Sequence, residues 1–137
     1  MSEDNWSRIA DGIQFRDTPG HGFVVLSTVR MDEMREEYPM LLDEENLHGM
    51  PNQFEEDCEW ARVFCAFWRE LDPKNVTGAV KCLSRWYQRQ FHFWLRAIVE
   101  RNEAEELYNV VSPETMVYAS PNAKVSLSLR ISALSEG

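Results

Sequence analysis

Cysteine is scarce. The 137 residues contain three, Cys58, Cys65 and Cys82, an odd number with no C-x-x-C pair, which excludes a zinc ribbon or a dithiol redox motif. With residues 53–70 read as one helix, Cys58 and Cys65 stand roughly 10 Å apart at 1.5 Å per residue, beyond disulfide reach. Thiols in a reducing compartment are therefore expected. Long apolar runs are missing too: Phe64-Cys65-Ala66-Phe67-Trp68 is far too short to cross a bilayer. The acidic opening Met1-Ser2-Glu3-Asp4 has the wrong charge for a signal peptide, so the expectation is a cytoplasmic protein with no membrane partner. There is no repeat, low-complexity tract or domain-separating linker, and the length suits a single domain over residues 1–137. P-loop, G-x-S-x-G, H-E-x-x-H and kinase signatures are all lacking. No cofactor is implied.

Aromatics are plentiful, with five Trp, seven Phe and four Tyr in a chain that is 44% hydrophobic. That is ample material for a core and argues against disorder. The net charge of −9 is uneven. Residues 1–70 hold sixteen acidic and six basic side chains, whereas residues 71–137 hold seven and eight. An acidic surface repels nucleic acid and attracts basic partners.

Ile13 and Phe15 alternate with polar neighbours, Thr18-Pro19-Gly20-His21-Gly22 is a cluster of turn formers, and Phe23-Val24-Val25-Leu26 is a β-branched run. Together they predict a hairpin with His21 at its tip. Ser27 or Thr28 is the natural N-cap of a helix carrying Val29, Met31, Met34, Tyr38 and Leu41, with Asp32 and Glu33 near its first turn, and Pro39 ends it near Glu37. Residues 43–52 read as an exposed loop. Asn52 and Glu55 have capping-box spacing, which predicts a second helix running to Leu71, apolar on nearly every side except at Arg62, Arg69 and Glu70. Asp72-Pro73 ends it and opens a third helical stretch over 76–109, with a break near Arg101-Asn102. Residues 115–119 and the alternating run Val125–Ala133 read as C-terminal strands. The order predicts an α+β fold: a small antiparallel sheet from N- and C-terminal hairpins packed against three helices.

Four constellations bear chemistry. His21 sits on a glycine-bearing loop, where an imidazole acts as a general base or a metal ligand near neutral pH. His48 and His92 stand alone, so no metal-ligand spacing exists. Glu55, Glu56, Asp57 and Glu59 put four acids in five positions, with Glu55 and Glu59 spaced to share a helix face. One helical turn offers too few converging oxygens for calcium. Cys58 lies among these carboxylates, poor surroundings for a thiolate nucleophile. Finally, Lys81, Arg85, Arg89, His92 and Arg96 recur at helical spacing among aromatics, a pattern shared by nucleic-acid binders. Direct nucleic-acid binding is nevertheless disfavoured by the net charge.

Three of these segments resemble a known pattern. Asp11-Gly12-Ile13 through Gly22 resembles a GI…TPSHGG signature, Phe54-Glu55-Glu56-Asp57-Cys58-Glu59-Trp60-Ala61 a YEEDCEWA signature, and Leu83-Ser84-Arg85-Trp86-Tyr87 an LRxWYP signature. In this order, over residues 6–95, they resemble a family of domains of unknown function common in plasmid- and phage-borne bacterial proteins. Phe23 replaces a usual glycine and Gln88 a usual proline. The resemblance implies a mobile-element setting rather than a mechanism.

Three functional expectations follow. The first is a non-enzymatic interaction protein whose acids Asp43, Glu44, Glu45, Glu55, Glu56, Asp57 and Glu59, with His21, face the basic surface of a host protein such as a nucleic-acid-binding defence complex. The second is an acid–base or metal-assisted enzyme using His21 with Glu55, Glu56 and Asp57, which requires the hairpin tip to meet the acidic motif. The third is a nucleic-acid accessory protein using Lys81, Arg85 and Arg89.

Overall fold

A computed structural model describes residues 4–46 and 50–111. The expected C-terminal strands and His48 lie outside the described residues. The chain divides into two compact units, Met1–Leu71 and Asp72–Gly137.

The first unit carries an antiparallel sheet of four strands in the order β1 (Asn5–Ala10), β2 (Ile13–Asp17), β3 (Gly22–Leu26) and β4 (Gln53–Glu55). The predicted hairpin is β2–β3, paired from Ile13↔Leu26 to Asp17↔Gly22. Its outer neighbour β1 is almost wholly exposed, so it has no buried alternation to read in the sequence. It is held by the backbone ladder, and Arg16 clasps Asp4 through Nε and Nη2 at 2.8 and 2.7 Å. Gly12 turns β1 into β2 at φ +74°, where a Cβ would also meet Ser27 Oγ at 2.7 Å. This is a left-handed position that glycine tolerates best.

Helix α1 (Thr28–Glu37) is capped by Ser27, whose Oγ accepts from the Arg30 amide at 3.1 Å. It stops before Pro39, which opens a 3-10 turn over Pro39–Leu42. Met31, Met34, Tyr38 and Leu41 are buried as the stripe predicts, whereas Val29 is exposed. Asp32 and Glu33 fall beyond the first turn.

The expected helix over 52–71 is corrected. Residues 53–55 form β4, residues 56–59 turn, and α2 spans only Trp60–Ala66. The capping box gives way because β3 offers a hydrogen-bonding edge, taken through Phe23↔Glu55, Val24↔Phe54 and Val25↔Gln53. Local capping is worth about 1 kcal/mol, less than a paired strand that also buries Phe54 completely. Arg62 is buried among the apolar residues of α2, while Arg69 and Glu70 are exposed beyond its end. Ile13, Leu26, Met34, Leu41, Phe54 and Val63 are fully or almost fully buried in this unit.

The second unit begins as expected, with Asp72 capping and Pro73 opening α3 (Pro73–Trp86). The stretch predicted as helical with one break is divided at two points. Tyr87, at φ −131° and ψ 55°, separates α3 from α4 (Gln88–Glu100), and Asn102 at φ 60° separates α4 from α5 (Ala104–Val110). At that second break the Glu103 amide donates to Ile98 O at 3.0 Å and the Asn102 amide to Val99 O at 3.0 Å. This is a Schellman stop with asparagine in the left-handed position, where the sequence predicts a break. Val76, Ala79, Val80 and Leu83 of α3 and Phe91, Trp94, Leu95 and Ile98 of α4 are buried, the spacing of amphipathic helices. The α+β class is therefore observed.

Candidate functional site

The β2–β3 turn is self-braced. Thr18 N–H donates to His21 O at 2.9 Å, Thr18 Oγ1 donates to the same oxygen at 2.7 Å, and the His21 amide donates back to Thr18 Oγ1 at 3.1 Å. The threonine thus holds the histidine backbone from both sides. Pairing of β3 with β4 then carries this turn to the acidic motif.

His21 Nδ1 lies 2.8 Å from Glu55 Oε1, although the two residues are 34 positions apart. A carboxylate only accepts, so the shared proton belongs to Nδ1 and a neutral ring carries its lone pair on Nε2. The Glu55 side chain is 8% exposed and that of His21 48%: the acid is at the back and half of the imidazole reaches solvent. The His21 ring also stands against Phe23, centroids 6.0 Å apart.

Behind Glu55 lies Glu59. Its Oε1 accepts the Glu55 amide at 3.0 Å, so a residue expected on a solvated helix face instead satisfies a buried backbone donor. Glu56 is exposed, but its amide donates to Gly22 O at 2.9 Å. Its carboxylate packs where a Gly22 Cβ would sit, Oε2 at 2.5 Å, with Phe15 Cζ also at 2.5 Å. A side chain at position 22 would force the Glu56 carboxylate and the Phe15 ring to shift.

The structure therefore brings His21, Glu55, Glu56 and Glu59 together. Two placements differ from the sequence expectation. Glu55 and Glu59 do not share an exposed helix face: they are 6% and 5% exposed, Glu55 as the last residue of β4 and Glu59 in the following turn, where its carboxylate accepts the Glu55 amide. Asp57 is exposed in the turn, and Cys58 is partly buried beside it. None of Cys58, Cys65 and Cys82 is in a disulfide. Among the described residues no three His, Cys, Asp or Glu side chains are grouped to hold a metal ion. No described helix is long and apolar enough to cross a membrane.

Asp43, Glu44 and Glu45 lie exposed on another loop. Glu44 and Glu45 line a groove of about 480 Å³ with Met31, Arg35, Leu42 and Pro51. From inside, Arg62 Nη1 donates to Leu41 O at 3.0 Å and Glu44 O at 2.9 Å, and its Nη2 bonds Asn46 Oδ1. Asn46 in turn donates to Pro51 O at 3.1 Å and Gln53 O at 2.7 Å. In the second unit Lys81 is partly buried and Arg85 and Arg89 are exposed.

Sequence reasoning missed Thr18 and Glu59 in their bracing roles. The threonine three residues before a turn histidine is a readable signal of a side-chain-closed turn. Glu59 had none, since its partner amide belongs to a strand that only tertiary pairing creates. No curated protein and no solved structure matches the chain. Every member of the histidine–carboxylate cluster falls within residues 2–112, the span matched by the model of the domain of unknown function DUF7007, and the chain belongs to that family.

Proposed function

We propose that the His21–Glu55 pair is an acid–base centre and that the first unit is an enzyme domain built around it. The observation that carries this is the buried carboxylate at 2.8 Å from Nδ1 of a half-exposed imidazole. A carboxylate in that position selects the ring tautomer, fixes its orientation and stabilises the imidazolium formed when Nε2 takes a proton. In the reaction, Nε2 accepts a proton from water or a substrate hydroxyl as that oxygen bonds to the acyl carbon or phosphorus of an ester, whose bond to the leaving group breaks. The imidazolium then returns the proton to the departing oxygen, leaving His21 neutral. Glu59 acts one step back, holding the Glu55 backbone through its amide.

Hydrolysis of p-nitrophenyl acetate and bis-p-nitrophenyl phosphate tests this. His21→Ala is expected to lower turnover at least about 100-fold, the low end for a general acid–base group, with an unchanged circular dichroism spectrum. Glu55→Gln should lower it less. No turnover above buffer on either compound, or equal turnover by His21→Ala, removes the reading.

A second reading, an acidic interaction protein that inhibits a host factor, is favoured by the exposure of Asp43, Glu44, Glu45, Glu56 and Asp57 in a chain of net −9. The resemblance to plasmid- and phage-borne domains suits it. Carboxylates there would take the place of phosphates in a basic groove. Buried Glu55 and Glu59 drop out of that surface, so the informative variant is Asp43→Lys/Glu44→Lys/Glu45→Lys. Capture from nuclease-treated bacterial lysate should yield a basic partner with the natural protein and lose it with the variant. Equal capture by both removes the acidic surface from consideration.

A further inference from the structure

From Pro73 to Val99 the chain carries Lys74, Lys81, Arg85, Arg89 and Arg96 and no acidic residue, an inversion of its overall balance. The outward stripe of α4 is Arg89, His92, Phe93 and Arg96, all exposed, at the i, i+3, i+4, i+7 positions of one helix face. Phe93 is 40% exposed, with the Arg89 and Arg96 guanidinium carbons 5.8 and 5.9 Å from its ring centroid. Just before α4, Arg85 is exposed and Trp86 is 65% exposed. Among the described residues Arg85, Arg89 and Arg96 enter no ion pair. Helix stability does not account for Arg89, because a cation in the first turn opposes the macrodipole. That turn holds no acidic side chain and Tyr87 makes no side-chain cap.

We propose that the outward stripe of α4, Arg89, Phe93 and Arg96, together with exposed Arg85 and Trp86 at the end of α3, binds single-stranded nucleic acid. The arginines would neutralise backbone phosphates, and Trp86 and Phe93 would each take an unstacked base. Exposed rings favour a single strand over a duplex, whose bases are already stacked. They also favour it over a lipid surface, since a helix lying in a membrane presents its broad apolar face, and that face of α4, Phe91, Trp94, Leu95 and Ile98, is buried. A local cationic face on an acidic protein gives modest, strongly salt-dependent affinity.

Fluorescence anisotropy of labelled mixed-sequence 20-mers, as single-stranded DNA, single-stranded RNA and duplex, tests this with the full chain. Binding of at least one single strand is expected in 50 mM salt. With three phosphates neutralised, it should weaken about twentyfold at 200 mM. Arg85→Glu/Arg89→Glu/Arg96→Glu should abolish it. Trp86→Ala/Phe93→Ala should weaken it about tenfold or more, with the salt dependence retained. All substituted side chains are exposed, and circular dichroism verifies folding. The proposal is overturned by no anisotropy change at 50 mM salt, by the charge reversal binding as well as the natural protein, or by duplex binding that ignores the ring substitutions. It is also overturned if phosphatidylserine vesicles are bound and the oligonucleotides are not.

Discussion

Replacing Arg62 by alanine is expected to destabilise the first unit by about 3 kcal/mol or more, the largest polar effect expected among the described residues. The guanidinium is 1% exposed, sits 5.1 Å from the Phe54 ring centroid and donates to Leu41 O, Glu44 O and Asn46 Oδ1. Removing the donor leaves the buried Leu41 carbonyl and the partly buried Glu44 and Asn46 oxygens without it, and the truncated stem adds a cavity beside Phe54. Because Asn46 also holds Gln53 O, the damage should reach β4 and loosen the His21–Glu55 contact. Urea unfolding of Arg62→Ala and Arg62→Met separates the contributions. Methionine restores most of the volume but no donor, so it should recover only a minor share of the lost stability. Full recovery by Arg62→Met would mean that packing, not hydrogen bonding, is what Arg62 provides.

The second large effect sets two adjacent aromatics against each other. Trp94 is fully buried, its ring 6.2 Å from that of Phe91, and Trp94→Ala should cost about 3–5 kcal/mol, as large-to-small changes in a packed core do. Phe93, one residue away, is 40% exposed, and Phe93→Ala should cost clearly less, about 1 kcal/mol. Chemical denaturation checks both. Equal losses would place Phe93 in the core and remove it from the surface that α4 offers to a nucleic-acid strand. The expected result, stability carried at 94 and binding at 93, follows from a 3.6-residue period that turns consecutive side chains to different sides.

Some of this is legible in the sequence alone. Turn formers between two alternating runs predict the β2–β3 hairpin, and Ser27, Pro39 and Asp72-Pro73 mark helix ends through their own backbone chemistry. The stripe of α4 separates its buried from its basic side. Other features are not. β1 has no buried alternation, and Tyr87 has no breaker chemistry to announce the division of α3 from α4. The acidic motif misled most, because Asn52 and Glu55 have the spacing of a helix start.

Local sequence thus determined the elements whose stabilising groups lie within a few residues of one another: the hairpin, the caps of α1 and α3, and the Schellman stop at Asn102. Tertiary structure decided β4, because a three-residue strand exists only where an edge such as that of β3 supplies its hydrogen bonds. With β4 came the burial of Glu55 and Glu59, and a histidine and a carboxylate 34 residues apart became neighbours. Residue spacing encodes helix faces and strand faces, but not which distant edge a strand will join. The residues of the site could be named from the sequence, whereas their meeting, and the inward turn of two of its acids, followed from the pairing of β3 with β4.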